Sequence, residues 1–376
     1  MRILHVITSL AIGGAQRLLS DILPLMSKTD KVSLLVYEKV ENDFYKHIAS
    51  AGIDIVSLNE HNYYNPTVVC RMRKIFMEYD VVHAHLFPTV YWASLACRGL
   101  TTKLVYTEHS TSNSRRGKWY FRSIEQFMYA RYDKVIAISP ETQEALMLWL
   151  RSRKDDTRFV CINNGIDTSR FVLANSAHKT NSEKVKLMMV SRFAPAKDQK
   201  TIIRALTHLD ARFQLDLVGD GDTMESVRQY ASEQGVADRV NFLGMRQDIP
   251  DLIASCDIGI QSSHWEGFGL TAVEFMAAGK PIIASRVSGL EQVVEGAGLL
   301  FEKGNDIELA TIINRLSTNE DEYNRVVEHC KIRAKEFDIS NMIKSYMNVY
   351  QSLTGEGKYR RVIWIVYNPY SREEAT

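Results

Sequence analysis

Two glutamates separated by seven residues carry the most informative chemistry in the sequence. Glu266 and Glu274 enclose a Gly-rich segment that follows a strand-like run at Ile258–Gln261 and opens a helix. Gly267 and Gly269 let a ligand approach the backbone, and the free amides at a helix start attract anions. Both carboxylates can face one pocket beside this anion site, Glu266 from the loop and Glu274 from about one turn inside the helix. This arrangement suits hydrogen bonds to sugar hydroxyls.

A purely structural interpretation of the two carboxylates is also open. An acidic residue near a helix N-terminus stabilises the helix by about 0.3–1 kcal/mol. Glu266 could therefore cap the helix while Glu274 points to solvent. For two isolated glutamates this would be the preferred interpretation, and the surrounding sequence has to decide.

Two cations stand in a second loop of the same kind. Arg192 and Lys197 follow the strand-like run that ends at Val190. A diphosphate that leaves a sugar concentrates negative charge in the transition state, and fixed cations in a dry cleft stabilise that charge. Arginine binds a diphosphate through two hydrogen bonds from its guanidinium, whereas lysine binds it as a point charge. Taken alone, the two residues fit exposed surface cations equally well.

A pair of glycines joins the first strand-like run to a helical segment. Gly13 and Gly14 permit close approach of a ligand to the backbone. The dinucleotide fingerprint G-x-G-x-x-G is absent here, and an isolated Gly-Gly is usually a tight turn. The glycines are therefore weak support by themselves.

The elements that must position these groups alternate between strand and helix, which predicts an α/β fold with parallel sheets covered by helices on both faces. Ligands of such sheets bind beyond the carboxyl ends of the strands. The predicted strands are Ile3–Thr8, Lys31–Tyr37, Asp54–Leu58, Val81–Ala84, Lys103–Glu108, Lys134–Ile138, Phe159–Ile162, Val185–Val190, Gln214–Val218, Val240–Leu243, Ile258–Gln261, Pro281–Ala284 and Gly298–Phe301. The predicted helices include Ala15–Met26, Arg122–Ala130, Thr201–Leu209, Met224–Gln234, Thr271–Ala278 and Ile307–Ser317.

The chain length of 376 residues fits two domains. The polar segment Ser176–Lys184 lacks apolar periodicity and is predicted to link them. We expect an N-terminal domain at 1–176, a C-terminal domain at 185–340, and a helix followed by a tail within 341–376.

Composition excludes several classes of protein. The 46 Lys and Arg balance 45 Asp and Glu, so no basic domain indicates nucleic-acid binding. No stretch of about 18 apolar residues occurs, so a membrane-spanning helix is not expected. The short apolar run at the N-terminus fits a buried strand better than a signal peptide. Five scattered cysteines form no C-x-x-C pair and predict neither zinc nor disulfides; they are Cys70, Cys97, Cys161, Cys256 and Cys330.

The order of motifs resembles the retaining GT-B glycosyltransferases, the family 4 type that includes bacterial glycogen synthase relatives and lipopolysaccharide and capsule sugar transferases. The resemblance runs over roughly residues 1–350, and the Glu-x7-Glu spacing is its hallmark. The matching segments are Gly13-Gly14-Ala15, Asp80-Val-Val-His-Ala-His85, Thr107-Glu-His109, Ile136-Ala-Ile-Ser139, Asn164-Gly-Ile-Asp167, Ser191-Arg192 through Lys197, Leu217-Val-Gly-Asp220-Gly, Phe242-Leu-Gly244, Glu266-Gly-Phe-Gly with Glu274, and Ala278-Gly-Lys-Pro281.

This resemblance implies that the domain at 1–176 binds the acceptor, that the domain at 185–340 binds the nucleotide-sugar, and that the helix within 341–376 returns to the first domain. It also implies roles for individual residues. Glu266 and His109 would be catalytic through positioning and electrostatics, since no covalent nucleophile stands out. The donor sugar would contact Glu266, Gly267 and Phe268, and Glu274 would bind the ribose. The residues implied for the remaining parts of the donor are Arg192, Lys197, Gly13, Gly14, Gly269 and Leu270 for the diphosphate, with Met245 and Arg246 for the base.

The resemblance also implies the reaction and its partners. A hexosyl-type sugar would pass from a nucleotide-sugar, with UDP favoured, to a glycan or lipid-linked saccharide in cell-surface polysaccharide synthesis. Transfer would retain the anomeric configuration and need neither cofactor nor metal. We expect a cytoplasmic protein, with contact to the cytoplasmic membrane face open and no nucleic-acid partner. The alternatives are a nucleotide-sugar epimerase of the same fold and an inactive nucleotide-sugar-binding subunit.

Two patterns resemble metal sites but are interpreted otherwise. Asp220-Gly-Asp222 matches the D-x-D pattern, yet it stands in a Gly-rich turn that the family also has, and Arg192 and Lys197 already supply positive charge. His83-Ala-His85 is not followed by a second cluster such as H-E-x-x-H. The two histidines are predicted to form a hydrogen-bonded pair near the cleft floor.

Two basic and aromatic segments remain. Lys358–Tyr367 could contact a membrane surface, form an extra strand or be an unstructured appendage. Arg115–Tyr120 could contact a lipid-diphosphate acceptor or form an exposed loop.

Overall fold

The computed structural model describes residues 1–11, 13–110, 115–172 and 184–355, with only the backbone of Val172. The chain forms two α/β domains, and its last helix lies on the first of them. The strands are β1 (Arg2–Ile7), β2 (Lys31–Val36), β3 (Asp54–Ser57), β4 (Val81–His85), β5 (Lys103–Glu108), β6 (Lys134–Ala137), β7 (Phe159–Cys161), β8 (Val185–Val190), β9 (Phe213–Val218), β10 (Val240–Gly244), β11 (Ile258–Gln261), β12 (Ile282–Ser285) and β13 (Leu299–Phe301).

Helices alternate with these strands, and two 3-10 turns lie at Pro195–Lys197 and Ala237–Arg239. The helices are α1 (Gly14–Met26), α2 (Asp43–Ser50), α3 (Val68–Phe76), α4 (Thr89–Ala96), α5 (Trp119–Tyr129), α6 (Pro140–Leu150), α7 (Ser169–Val172), α8 (Gln199–Thr207), α9 (Met224–Glu233), α10 (Ile249–Ser255), α11 (Leu270–Ala277), α12 (Ser288–Val294), α13 (Asp306–Thr318), α14 (Glu320–Glu336) and α15 (Ile339–Thr354).

Both sheets are parallel and doubly wound. The first has the order β3-β2-β1-β4-β5-β6-β7 and the second β10-β9-β8-β11-β12-β13. The central strands β1, β4, β8 and β11 are short apolar runs buried on both faces, as parallel strands between helical layers must be. The predicted α/β class with two Rossmann-like domains is confirmed. In each sheet the order reverses beside the first strand of its domain, which is where such folds bind ligands.

The last helix crosses from the second domain to the first. Near the crossing, the Ile166 amide donates to the Phe337 carbonyl at 3.0 Å, and the Ile339 amide donates to the Ile166 carbonyl at 2.8 Å. Along α15, Met342, Tyr346 and three other apolar residues are buried against β1, β4 and β5. The chain therefore passes twice between the domains.

Predicted and observed elements differ mainly at their ends. The helix predicted from Thr201 begins at Gln199, directly after Asp198 in a left-handed conformation. The helix predicted from Arg122 begins at Trp119. Apolar periodicity locates a helix from its first buried residue and misses a polar or exposed first turn. Of the predicted linker only Lys184 lies within the described residues, and the tail segment Lys358–Tyr367 lies outside them. Within the described ranges, no helix is long and apolar enough to cross a membrane.

Candidate active site

The carboxyl ends of the two sheets face each other, and groups from both domains meet there. A β-carbon placed on Gly267 would lie 3.7 Å from the carbonyl oxygen of His109, so the glycine loop adjoins the end of β5. Arg17 in α1 reaches Glu274 in α11, with 2.7 Å between Nη2 and Oε1. These contacts bring residues predicted from the two halves of the sequence to one location.

Glu266 and Lys197 form an ion pair at this location. Lys197 Nζ donates to Glu266 Oε2, and both side chains are mostly buried. The end of β11 holds the lysine loop, because Ser262 Oγ bonds the carbonyl oxygens of Lys197 and Asp198 at 3.2 and 2.8 Å. The predicted donor-sugar carboxylate and the predicted diphosphate cation thus pair with each other.

Arg192 lies at the exposed edge of the same loop. Its side chain is solvent-accessible and lies 3.5 Å from the Asp222 carboxylate, which is also exposed. Gln199 Nε2 holds the backbone beneath by donating to Ser191 Oγ and to the Arg192 carbonyl oxygen, both at 3.1 Å. Such an exposed pair contributes little free energy, so the guanidinium can turn toward an anion at small cost.

The Asp220-Gly-Asp222 turn packs against that loop. A β-carbon on Gly219 would lie 2.1 Å from the Ser191 carbonyl oxygen, and one on Gly221 would lie 2.2 Å from the Phe193 carbonyl oxygen. Both glycines have positive φ, 132° and 152°. The turn therefore has a structural function, which is to support the loop that carries Arg192.

The start of α11 has the predicted strand–turn–helix form. Gly269 precedes the helix with φ 88°, a conformation that glycine adopts without strain. Leu270 is the first helical residue. The Phe268 side chain points into the second domain and packs edge-to-face on Phe337, with ring centroids 5.4 Å apart. The backbone of Phe268, and not its ring, is therefore the part that lies at the helix N-terminus.

Glu274 is one of the most deeply buried carboxyl groups in the described chain, with 3% of its side chain exposed. Burial raises the pKa of this carboxyl, while the Arg17 charge opposes the rise. Arg170 and Asp21, which lie 3.7 Å apart, add further charges nearby. The ion pair with Arg17 is the principal direct contact that favours the ionised form of this buried group.

Gly13 and Gly14 begin α1, the helix that carries Arg17. Gly13 is the N-cap residue in an extended conformation, and its carbonyl accepts from the Arg17 amide at 3.0 Å. The Gln16 side chain folds back over Gly13, because a β-carbon there would lie 2.4 Å from Gln16 Oε1. The two glycines and Arg17 thus form one turn at the carboxyl edge of the first sheet.

His109 follows β5 and is partly buried. Its Nε2 lies 3.2 Å from His85 Nδ1. Burial lowers the pKa of His109 to about 4, so the ring is neutral near pH 7. A neutral ring can accept or donate one hydrogen bond at each nitrogen but cannot supply a fixed charge.

The predicted base-binding residues lie on an exposed loop after β10. Met245 is 63% exposed, and Arg246 pairs with Asp248 at 2.5 Å. Next to them, Gln247 Nε2 donates to Asp43 Oδ2 of α2 at 3.0 Å. The loop therefore borders the first domain, and Arg246 is already paired.

The structure corrects the expectation for His83 and His85 and shows the surroundings of Arg115–Tyr120. His83 and His85 do not bond each other, although their ring centroids are 4.2 Å apart. His83 bonds Thr107 on β5 and Tyr350 on α15, whereas His85 bonds His5 on β1 and His109 after β5. In the segment Arg115–Tyr120, Lys118, Trp119 and Tyr120 are exposed, whereas Arg115 and Arg116 pair with buried Glu125 and Glu108 at 2.7 and 3.2 Å. Alternating residues of one strand share a face, and sequence does not reveal which neighbour supplies the partner.

Sequence reasoning also missed Arg17. It follows Gly14 by three residues, so it lies near the helix terminus that was identified as a ligand site. The spacing from Gly14 was the signal in the sequence that could have identified Arg17 as a site residue. The need for it arises only from the burial of Glu274, which sequence does not show.

Comparisons with known proteins match both halves of the chain to glycosyltransferase families. Residues 12–170 match the model of Glycosyltransferase Family 4, and residues 174–333 match the model of Glycosyl transferases group 1. An uncharacterized glycosyltransferase of Methanocaldococcus jannaschii, MJ1178, is 28% identical over 73% of this chain and 76% of its own. An Escherichia coli UDP-Gal:alpha-D-GlcNAc-diphosphoundecaprenol alpha-1,3-galactosyltransferase is 25% identical over 88% of this chain and 95% of its own.

Solved structures give the same fold. The crystal structure of Anabaena HepE in complex with UDP and glucose superposes with a TM-score of 0.80 at 24% identity, covering 94% of this chain and 100% of that one. The two family models divide the chain as the two sheets do, one to each domain. This chain is a glycosyltransferase of the GT-B fold and belongs to the family 4, group 1 glycosyltransferases.

Proposed function

We propose that this enzyme transfers a hexosyl unit from a UDP-sugar to a glycan or lipid-linked saccharide in cell-surface polysaccharide synthesis, with retention of configuration and without a metal ion. The observation that carries the proposal is the pairing of Lys197 with Glu266 beside the N-terminus of α11. The pair offers a cation for a diphosphate and a carboxylate for a sugar at adjoining positions.

Donor binding exchanges the partner of Lys197. The donor diphosphate carries two negative charges against the one of a carboxylate and takes Lys197, with Arg192 swinging in from its exposed pair with Asp222. The amides of Gly269 and Leu270 at the start of α11, and those of Gly13 and Gly14 at the start of α1, complete an anion site. Glu266 is then released from the lysine and can accept hydrogen bonds from hydroxyl groups of the hexose.

Glu274 binds the ribose without giving up Arg17. An ionised carboxylate has about four lone-pair positions, and Arg17 occupies one oxygen, Oε1. The other oxygen remains available for the ribose hydroxyls. The base lies farther out, toward Met245 and Arg246.

The charges of this chain support a reaction without a metal. Lys197, Arg192 and the N-terminal dipole of α11 provide positive charge where the leaving diphosphate gains negative charge. The D-x-D turn supports the Arg192 loop through Gly219 and Gly221. No nucleotide or redox cofactor is proposed, because the nucleotide-sugar is itself the substrate.

Retention follows from transfer on one face of the sugar. In that mechanism the leaving phosphate takes the proton of the acceptor hydroxyl, and the acceptor attacks on the side from which the phosphate departs. After Lys197 has turned to the diphosphate, Glu266 is still held by its own loop, where Oε1 accepts from the Gly267 amide at 3.3 Å. This contact suits a residue that positions the sugar with His109, and no covalent intermediate is assigned.

The first domain carries a surface that fits a membrane-linked acceptor. We name the aromatic face of α5 by its exposed residues, Trp119, Tyr120, Ile124 and Phe127, of which Trp119 is 80% exposed. Lys118 is exposed beside them, and Arg131 stacks on Phe127 with 3.5 Å to the ring centroid. Aromatic and basic groups favour the membrane interface. The acceptor named for the Escherichia coli relative is lipid-linked, and we propose the cytoplasmic membrane face as the place of action.

A donor panel tests the proposal. The purified enzyme is incubated with UDP-, GDP- and ADP-sugars and with polyprenyl-diphosphate saccharides, and nucleotide release is measured with and without EDTA. We expect release with a UDP-sugar that EDTA leaves unchanged. Loss of release in EDTA, restored by a divalent ion, would exclude the metal-free mechanism. Conversion of the sugar without acceptor would favour the epimerase, and tight binding without either reaction would favour the inactive subunit.

Site variants link the activity to the geometry. Lys197→Met should abolish turnover, because it removes both the diphosphate cation and the partner of Glu266. Glu266→Gln should lower kcat more than it raises the donor KM. Lys331→Met is the matched control, since Lys331 forms an exposed ion pair with Glu328 on α14. Equal activity of the Lys197 and Lys331 variants would refute the assignment.

A further inference from the structure

A row of three histidines leads from the middle of the first sheet to the candidate site. His5 lies in β1, His85 ends β4 and His109 follows β5, and these three strands are neighbours in the sheet. His5 Nδ1 is 3.0 Å from His85 Nε2, and His85 Nδ1 is 3.2 Å from His109 Nε2. His5 and His85 are completely buried, whereas His109 borders the cleft beside Gly267.

All three rings are neutral near pH 7. Burial lowers the pKa of His5 to about 3 and that of His109 to about 4, and burial also lowers the pKa of His85. A neutral imidazole has one N–H and one lone pair. In an unbroken row of such rings every bond must therefore run in the same direction. The row has only two protonation patterns, one with all protons on Nδ1 and one with all protons on Nε2.

The far end of the row selects between the two patterns. His5 Nε2 is buried and has no hydrogen-bond partner among the described residues. In one pattern this atom is an unpaired N–H, and in the other it is an unpaired lone pair. Buried N–H groups without partners are rarer in native structures than incompletely satisfied acceptors. The pattern with all protons on Nδ1 is therefore favoured, because it leaves His5 Nε2 as an unpaired lone pair and not as an unpaired N–H.

We infer that His5 and His85 are positioning residues that hold His109 as the Nδ1-protonated tautomer. His5 donates to His85, His85 donates to His109 Nε2, and the one N–H of the His109 ring is left at Nδ1. That N–H can donate to a hydroxyl of the donor sugar. This last step rests on the proposed function, while the tautomer itself does not.

The neighbouring His83 provides a matched comparison. It lies two residues before His85 in the same strand and is equally buried. Its nitrogens bond Tyr350 Oη at 2.6 Å and Thr107 Oγ1 at 2.7 Å, so it belongs to a separate network with α15. A change at His83 disturbs the same core without interrupting the row that ends at His109.

A metal ion is the competing explanation for this cluster. Nitrogen atoms of His5, His83 and His85 all lie within 4.8 Å of one another, and neutral imidazole is a common zinc ligand. Zinc would occupy lone pairs that the row uses for hydrogen bonds, and it would displace Tyr350 or Thr107 from His83. The two explanations therefore make opposite predictions for metal content and for the protonation of the rings.

Nitrogen-15 NMR of the histidine rings tests the inference directly. We expect His109, assigned by the resonances missing in His109→Gln, to show Nδ1 protonated and Nε2 as an acceptor. His85→Leu removes the donor, so His109 should shift toward the Nε2 tautomer that neutral histidine favours in water. The kcat of the His85→Leu variant should fall about tenfold, which corresponds to the loss of one hydrogen bond in the transition state. His85→Asn keeps an N–H near the position of Nδ1 and should restore the tautomer and most of the activity.

Each other outcome overturns the inference. These are an Nε2-protonated His109 in the wild type, an unchanged tautomer in folded His85→Leu, a tautomer change in His83→Leu equal to that in His85→Leu, or a stoichiometric metal ion that leaves with His85. Thermal unfolding confirms that each variant is folded. If the enzyme transferred no sugar at all, the NMR result would still stand, so failure of the proposed function is distinguishable.

Discussion

Removal of Arg17 should weaken donor binding although this residue lies outside the domain that carries the donor motifs. Arg17 pairs with Glu274 across the domain boundary at 2.7 Å. Burial raises the pKa of Glu274, and Arg17 is the first charge that opposes the rise. In Arg17→Gln the carboxyl therefore holds its proton to a higher pH and loses its best orienting contact.

The size of the effect follows from the change in Glu274. A hydrogen bond to a charged group contributes about 1.5–3 kcal/mol and a neutral one about 0.5–1.5 kcal/mol. Loss of about 1 kcal/mol in the ribose contact raises the donor Kd roughly fivefold. Leaving a fully buried charge unpaired costs about 3–5 kcal/mol. Because 38% of the Arg17 side chain is exposed, we expect only about 1–2 kcal/mol in stability after screening by water.

A double-mutant cycle measures this coupling. Calorimetric Kd values for the donor nucleotide are compared for wild type, Arg17→Gln, Glu274→Gln and the double variant, and Arg17→Lys should recover part of the affinity. Arg153→Gln, which breaks an exposed pair with Asp155, is the control. Additive effects of the two changes would refute the reasoning. Tighter binding in Arg17→Gln would show instead that Arg17 competes with the ribose.

Three other predictions concern pH, packing and membrane contact. Because burial raises the pKa of Glu274 in the folded state, its contribution to stability is fully present below its ordinary pKa and is lost as pH rises through the raised value. Glu274→Gln should therefore remove a decline in urea stability with rising pH. Gly289→Ala should reduce kcat at least tenfold, because its β-carbon would lie 2.2 Å from the Glu266 carbonyl oxygen and displace that loop. Trp119→Ser with Phe127→Ser should weaken sedimentation with anionic vesicles severalfold while soluble-acceptor activity is kept.

Neighbouring substitutions control these experiments. Ser288→Ala, at an exposed position next to Gly289, should leave kcat unchanged. Ile307→Ser removes an apolar residue that is similarly exposed on the second domain and should not affect vesicle binding. Undiminished sedimentation of the Trp119 and Phe127 double variant would exclude the aromatic face of α5 as the membrane contact. A pH profile of stability that Glu274→Gln leaves unaltered would show that this carboxyl has an ordinary pKa.

The fold was predictable from sequence because its signature is repetitive. Each buried parallel strand is a short apolar run, and each predicted strand lies within a residue or two of an observed one. Helix starts were less accurate. The left-handed Asp198 sets the beginning of α8, and backbone conformation of this kind leaves little trace in apolar periodicity.

The sequence predicted which residues form the candidate site but not which of them form ion pairs with each other. The Glu266 and Lys197 segments were both identified, yet their ion pair joins residues 69 positions apart and depends on the registration of β8 beside β11. Arg17 and the histidine row depend on which strands are neighbours and on how completely a side chain is buried. Sequence gives the residue types for such contacts, whereas the tertiary structure gives the partners.

We expect the two ion pairs of the candidate site to divide donor recognition between the domains. Lys197 and Glu266 both belong to the second domain, so exchange of Lys197 from the carboxylate to a diphosphate needs only local movement. The pair of Arg17 and Glu274 joins the two domains, so a donor whose ribose engages Glu274 binds a group whose charge depends on domain contact. Diphosphate affinity should then depend on domain closure only through the amides of Gly13 and Gly14, whereas the added affinity of a nucleoside should depend also on the pair of Arg17 and Glu274. Comparison of inorganic diphosphate with the nucleoside diphosphate in Arg17→Gln separates the two contributions, since only the second should weaken.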